Sequence, residues 1–411
     1  MNEHIRPGFL SQYFDGVAIK RLSAVEADPS RSNQHEFNGT VALKNLLGTN
    51  KLENYPARFM WLGGENEGIT VDSSVTWYDS RERHPKRSEW RLYFKGNAVM
   101  DMASAGDLLV VAKRPNGDLY LLIAPAGSTI EQQLVWLFDV GKDIGDSFSF
   151  KNIQGKNDVE IDYIVRYVLE ELGIEVQDHD TGILDTHLEP FIESNQFPST
   201  KEFSELARRI SRDVSPVEDP DHALLTWMDI EERLFRRLEK HFIKIKLASN
   251  VFWKGSEVDV DGFIEFSLKI INRRKSRVGY ALENHLEEIF RANNIKYSRN
   301  RVTELKSRPD FLFPGISYYH DESFPVERLT VLGVKSTCKD RWRQVLSEAK
   351  RIREKHLFTL EPGISENQTE EMKSNSLQLV LPKKLHDTYK PSQRDWLMSL
   401  NQFVQLVKAR Q

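Results

Sequence analysis

From its start to about residue 150 the chain carries apolar residues only in short runs, RFMWL (58–62), VTWY (75–78), WRLYF (90–94), DLLVVAKR (107–114) and DLYLLIAP (118–125), divided by Gly, Asn, Asp and Pro. Runs of this length and spacing suit strands of a barrel or sandwich, not packed helices. In KRPNGDLYLLI (113–123), Asn116-Gly117 predicts a hairpin with a tight primed turn. Two basic stretches, IKRLSAVEADPSRSNQHE (19–36) and SRERHPKRSEWRLYFK (80–95), interrupt the pattern and read as exposed arms.

The rhythm then changes. Ile161, Ile164, Val165, Val168, Leu169 and Leu172 recur at helical spacing and Gly173 supplies a C-cap. The acidic, Gly- and Pro-containing QDHDTGILDTHLEPFIESNQFPS that follows predicts an interdomain linker near 178–198, between domains at 1–177 and 199–411. A length of 411 residues fits two domains. Helical patterns dominate from TKEFSELARRISRDV to RPDFLFP (308–314), after which RLTVLGVKST, KDRWRQVLSEAKRIREK and SLQLVLPKKL read as strand, helix and strand of a small α/β sheet.

With 39% hydrophobic and 29% charged residues and no apolar run near the ~20 residues of a membrane span, the composition is that of a soluble protein. MNEHIRPGFL shows no secretory signal, and the single Cys338 excludes an intramolecular disulfide, so the expected setting is the reducing cytoplasm. The net charge of −4 conceals segregation: residues 155–195 hold eleven acids against Lys156 and Arg166, whereas 268–309 hold eleven Lys and Arg against four Glu. A basic DNA-facing surface is therefore compatible with an acidic chain.

In LTVLGVKST one lysine, Lys335, ends an apolar strand, where a catalytic group can emerge from a sheet. Beyond it, Arg341, Val345, Glu348 and Ile352 fall on one helical stripe, so a helix through DRWRQVLSEAKRI can carry Glu348 back toward the strand. Asp310 heads another short strand after Pro309, with Phe311 and Phe313 anchoring its other face. Two carboxylates and a lysine at a sheet end suit metal-assisted phosphodiester cleavage, in which carboxylates hold Mg²⁺ and the lysine orients or activates water. On spacing alone, a surface salt bridge is the stronger account of them.

Residue identity adds to this. NRRKSRVGYALENHLEEIF, RPDFLFP, the segment from YYHDESFPVERL through VKSTCKDRWRQVLSEAKRIREKHLFTL, and LVLPKKLH, in that order, resemble the catalytic domain of EcoRII-type restriction endonucleases, a branch of the PD-(D/E)xK nucleases. The resemblance spans roughly 196–400. It implies Asp310 and Glu348 as metal ligands, Lys335 as catalytic lysine, Glu283 as a further acid near the metal, and Tyr319 close to the active site or else a core aromatic. The superfamily's usual acid two residues before the lysine is Gly333 here. In the EcoRII-like branch a helix-borne glutamate replaces it, which Glu348 fits.

Lys339, Asp340 and Arg341 match the family's base-reading triplet; Lys and Arg can donate to guanine while a carboxylate accepts from cytosine N4. Asp340 can equally cap a helix. Arg273, Arg274, Lys275 and Arg277 in NRRKSR suit DNA-backbone contacts, or else form a solvated face. His285, His320 and His356 lack metal-ligand spacing and suit buried or hydrogen-bonding roles.

IKRLSA with WYDSRERHPKRSEWRLYF resembles, over a shorter stretch, the N-terminal effector-binding domain of the same enzymes, an all-β B3-like pseudobarrel. That resemblance puts Lys20, Arg21 and Ser23 on a first DNA-gripping arm and Arg81, Arg83, Lys86, Arg87 and Arg91 on a second. Basic loops that merely solubilise a barrel are the alternative. Together the resemblances imply a B3-like domain joined to a restriction-endonuclease-like α/β domain. They further imply a homodimeric, Mg²⁺-dependent type II enzyme of the type IIE kind, cutting double-stranded DNA at a CCWGG- or CCNGG-like palindrome, with a cognate DNA methyltransferase as cellular partner and no membrane association. A DNA-binding regulator with an inert nuclease-like domain and a structure-specific repair nuclease are the competing readings.

Overall fold

A computed structural model describes residues 8–27, 35–141, 144–154, 158–177, 183–249, 251–254 and 257–411. The chain forms two compact units, one of the described residues up to Gln177 with Pro362–Asn367, the other of the described residues between 178 and Glu361 with Gln368–Gln411.

The N-terminal unit is one eight-stranded mixed sheet. Its strands are β1 (Gly16–Arg21), β2 (Glu36–Asn38), β3 (Leu52–Trp61), β4 (Thr70–Asp79), β5 (Trp90–Phe94), β6 (Leu108–Lys113), β7 (Leu119–Ala124) and β8 (Ser149–Asn152), in the order β2-β5-β4-β3-β7-β6-β1-β8. β3 and β7 pair in parallel and the other neighbours are antiparallel. β6 and β7 are apolar at nearly every position because both faces of the sheet are covered. Leu109, Val111, Leu119, Leu121 and Ile123 enter one core with Phe37, Phe59 and Trp77, while Val110, Ala112, Leu122 and Ala124 enter another. The second core is closed by helices Thr129–Leu137 and Tyr163–Glu171. The latter is capped by Asp162 and terminates before Gly173 at φ 70°.

The β6–β7 hairpin forms, but not with a primed turn. Only Gly117, at φ 94°, has positive φ; Arg114 N donates to Asp118 O and Gly117 N to Arg114 O. Pro115 locks a negative φ at the first turn position, which selects a type I turn followed by a left-handed glycine.

In the C-terminal unit, Ile183–Glu193 is a helix despite Pro190, with Leu184 and Leu188 packed beside Phe203, Leu234 and Phe235. Much of the expected linker is therefore core-forming. Helices Pro220–Ala248 and Val260–Ala292, of 29 and 33 residues, make a long antiparallel pair bridged by the short strands β9 (Trp253–Lys254) and β10 (Glu257–Val258). Asp219 with Pro220, and Asp259, open these helices. A five-stranded mixed sheet follows, ordered β11 (Ser298–Arg299), β12 (Phe311–Phe313), β13 (Thr330–Lys335), β14 (Lys355–Thr359) and β15 (Leu377–Val380). The first three run antiparallel and β13-β14-β15 parallel. Phe290, on the long helix, packs edge-on against Phe311 and Phe313 and fixes that helix to the sheet.

Candidate active site

β13 is buried from Thr330 to Val334 and partly opens at Lys335. Across the sheet, Asp310 immediately precedes β12 and its Oδ2 receives the Val334 backbone N–H at 2.6 Å and Lys335 Nζ at 3.1 Å. The carboxylate thus bridges the end of the neighbouring strand, and both side chains are mostly covered, 15% and 11% exposed. A pair in that setting is more than a surface salt bridge.

Glu348 reaches the same place by a different route from the one its spacing predicts. The helix after β13 covers only Trp342–Leu346, and Glu348 lies in the turn beyond it. The predicted stripe from Arg341 to Ile352 therefore breaks after Val345; Ala349 takes a left-handed φ of 45°, which reverses the chain. What docks the short helix is Gly333: a Cβ there would lie 2.6 Å from Val345 Cγ2. The missing strand acid and the returning turn are thus one packing event. A side chain at 333 would evict the helix that delivers Glu348.

Glu348 Oε2 is sealed from solvent without a hydrogen-bond partner. Burial, then repulsion from Asp310, pushes its pKa up to about 7, with Lys335 and Lys355 opposing. Two carboxylates held together, one with an orphaned oxygen, form a donor set suited to a hard divalent cation, and Mg²⁺ is commonly held by only one or two protein carboxylates. Among the described residues no group of three His, Cys, Asp or Glu converges to cage a metal.

Glu283, expected near the metal, is paired with Arg299. Its Oε2 accepts from Arg299 Nη2 at 2.8 Å and Nε at 3.2 Å, while Glu287 takes Arg299 Nη1 at 2.7 Å. Arg299 lies in β11 beside Phe311, and Asn300 N donates to Asp310 O at 3.1 Å, so Glu283 is tied through Arg299 to the strand that neighbours Asp310. Tyr319 is buried among Leu312, Val331 and Ile352. Its hydroxyl donates to Glu304 and accepts from Arg351 N at 3.2 Å. Desolvation, reinforced by Glu304, pushes its pKa up to about 12. The core-aromatic alternative describes these contacts.

Lys339–Arg341 form a 3₁₀ turn opening the helix that follows, with Lys339 and Arg341 exposed; the side chain of Asp340 lies outside the described part of the structure. Cys338, just before, is buried and its N–H is bound by Glu361, which anchors the turn; burial raises the thiol pKa and makes it inert. The basic segment 272–277 is divided between buried and exposed cations. Arg277 is buried among Phe197, Phe203 and Phe235 and donates to Pro198 O. Arg274 binds Glu239 at 2.6 Å, while Arg273, which stacks on Phe197, and Lys275 are both exposed. Helical geometry thus turns Arg277 inward onto aromatic faces while Arg273 and Lys275 stay at the surface. His285 sits between Glu231 and Arg208, and His356 is kept neutral by burial, at about 3.

In the N-terminal unit the described part of the first arm is engaged within the fold. Lys20 and Arg21 belong to β1; Lys20 is buried against Glu26 at 2.6 Å, and Ser23 also serves Glu26. Arg21 binds Glu131 and Gly106 O, and 28–34 lie outside the described residues. The second arm is a real projection: 80–88 is exposed between β4 and β5, and Arg83, Lys86 and Arg87 form no ion pair among the described residues. Arg81 pairs with Glu89, and Arg91, inside β5, with Glu36 and Glu89.

The C-terminal unit thus presents an acid–acid–lysine site at the end of a mixed sheet. Residues 235–404 match the family model described as EcoRII C terminal. Over 210 residues the chain is 41% identical to the type II restriction enzyme EcoRII of Escherichia coli, covering 51% of this chain and 50% of that protein. The chain therefore spans about half the length of the curated relative it matches. Similar solved structures include metal-depleted Ecl18kI in complex with uncleaved DNA (17% identity, TM-score 0.44, 55% of this chain and 83% of that one). Another is a restriction endonuclease PspGI–substrate DNA complex (14% identity, TM-score 0.44, 53% and 95%). No helix among the described residues is long and apolar enough to cross a membrane.

Proposed function

We propose that the protein is a type II restriction endonuclease of the type IIE kind, hydrolysing double-stranded DNA at a CCWGG- or CCNGG-like palindrome and leaving 5′-phosphate and 3′-hydroxyl ends. The observation that carries this reading is the orphaned, proton-attracting Glu348 carboxylate beside an Asp310 that already binds Lys335. Asp310 and Glu348 would hold Mg²⁺, which, when bound, neutralises charge on the scissile phosphate and acidifies water. Lys335, fixed by Asp310, orients the attacking water or stabilises the phosphorane-like oxygens. The Lys339–Arg341 turn sits four residues beyond the lysine, so base reading and hydrolysis share one rigid segment.

The 80–88 projection supports a DNA-binding role for the N-terminal unit, read as a B3-like effector domain gripping through Arg83, Lys86 and Arg87. A homodimer suits a palindrome, and the long helical pair leaves Ile245, Trp253, Phe263, Ile264 and Leu268 exposed for a second copy to cover. A cognate methyltransferase would protect the host's own sites in the cytoplasm. The test is incubation of the full chain with plasmid DNA and Mg²⁺. Discrete fragments with ends at a CC-containing palindrome support restriction; no cutting overturns it in favour of a regulator, and cutting confined to branched or damaged DNA overturns it in favour of repair.

A further inference from the structure

Lys355 opens β14 and is 6% exposed. Its Nζ donates to three main-chain carbonyls, Glu348 O at 2.5 Å, Ile352 O at 2.8 Å and Ala349 O at 3.1 Å. An ammonium group has three donors, and here each has its own acceptor in one turn. The turn needs such a partner: a helix of five residues leaves its last carbonyls without intrahelical donors, and Ala349 holds a left-handed φ that alanine disfavours. A buried charge is costly, and the rest of β14 is buried with no further cation, so the strand itself does not require one. The far end of the same turn is held separately, by Arg351 N on Tyr319 and the Arg351 guanidinium on the carbonyls of Tyr319, Asp321 and Phe324.

We propose that Lys355 is a positioning residue for the nuclease site. It gathers the carbonyls of the 348–352 turn and thereby holds Glu348 where it can share a cation with Asp310. The assignment rests on the metal-dependent nuclease reading above. Lys355 touches the main chain of Glu348, so it acts through that residue rather than on substrate. Sequence reasoning passed over it because it reads as the end of a charged helix, IREK.

The full chain is compared as wild type, Lys355→Met, Glu348→Gln, Asp310→Ala and the Lys355→Met/Glu348→Gln double variant. Two quantities are measured: Mn²⁺ affinity from the electron paramagnetic resonance signal of the free ion, and amide hydrogen exchange of the 347–352 peptide. Lys355→Met is expected to weaken Mn²⁺ binding about tenfold and to speed exchange in 347–352 about tenfold with β13 unchanged. The double variant should bind no more weakly than Glu348→Gln alone. Wild-type affinity and protection in Lys355→Met, with Asp310→Ala still weakened, overturns the positioning role and leaves the nuclease reading intact. Affinity unchanged in both Asp310→Ala and Glu348→Gln overturns the nuclease reading and this inference with it. If Lys355→Met does not fold, Lys355→Gln, which keeps a shorter polar donor, is judged by the same outcomes.

Discussion

Lys20 in the N-terminal sheet and Glu348 in the C-terminal one are both charged groups withdrawn from water, and their surroundings treat them oppositely. Lys20 finds both oxygens of Glu26, at 2.6 and 2.7 Å, and Glu26 is further bound by the backbone and hydroxyl of Ser23. Glu348 is set against another carboxylate with one oxygen bound to nothing. The first arrangement is complete as folded. The second is left incomplete by the protein, which is what a site awaiting a cation requires. Burial of charge therefore does not by itself distinguish the two; what differs is whether that charge is satisfied, and the proposed function rests on the unsatisfied one.

Substitutions can break or sharpen this contrast. The largest effect is expected at the incomplete site: Asp310→Ala or Lys335→Ala should lower single-turnover cleavage about 1000-fold, roughly 4 kcal/mol, while DNA binding in a gel-shift assay persists. Retained cutting by either variant removes the assignment. At the complete site, Lys20→Met should cost about 3 kcal/mol of stability of the N-terminal unit in urea unfolding, because Glu26 loses its charge partner. Cleavage chemistry should be untouched in the protein that remains folded.

Glu348→Gln should act in the opposite direction on stability. The folded pKa of Glu348, about 7, exceeds the ordinary 4.5, so its contribution is fully present below about pH 4.5 and is lost as pH rises through 7. In metal-free protein the variant should gain about 2 kcal/mol over wild type at pH 8 and nearly nothing at pH 4.5, in paired urea titrations. Added Mg²⁺ should cancel the gain by stabilising wild type alone. The smallest effect belongs to charges that are fully solvated: Arg83→Ala with Lys86→Ala should weaken DNA binding about tenfold and flatten the logarithmic salt dependence by about 2. Arg277→Ala, by contrast, should destabilise the fold and leave the salt slope unchanged, since that guanidinium is already spent on Pro198 and three phenylalanines.

Strand identity was legible in the N-terminal half because runs such as LLVVA and LYLLIA are too short and too apolar for anything but a doubly covered sheet. Lys335 was legible because a polar residue ending such a run has few other reasons to be there. The helical stripe that suggests Glu348 is abandoned by the chain at Leu346, where a tight turn replaces the last helical turn. Segment 183–193 was hidden by Pro190, which looks like a breaker yet is tolerated here, with Leu184 and Leu188 holding the helix to its neighbours. The roles of Arg277 and Lys20 were illegible because charge reveals nothing of which neighbours a fold will supply; aromatic rings and Glu26 come from elsewhere in the chain.

The close fit of Gly333 against Val345 has a consequence for how such sites change over time. Placing an acid at 333 would require Val345 to shrink in the same step, and either change alone would leave a wedge or a hole between strand and helix. A carboxylate could therefore be carried on the strand at 333 only through paired replacements, a coupling that is independent of the surface residues around it.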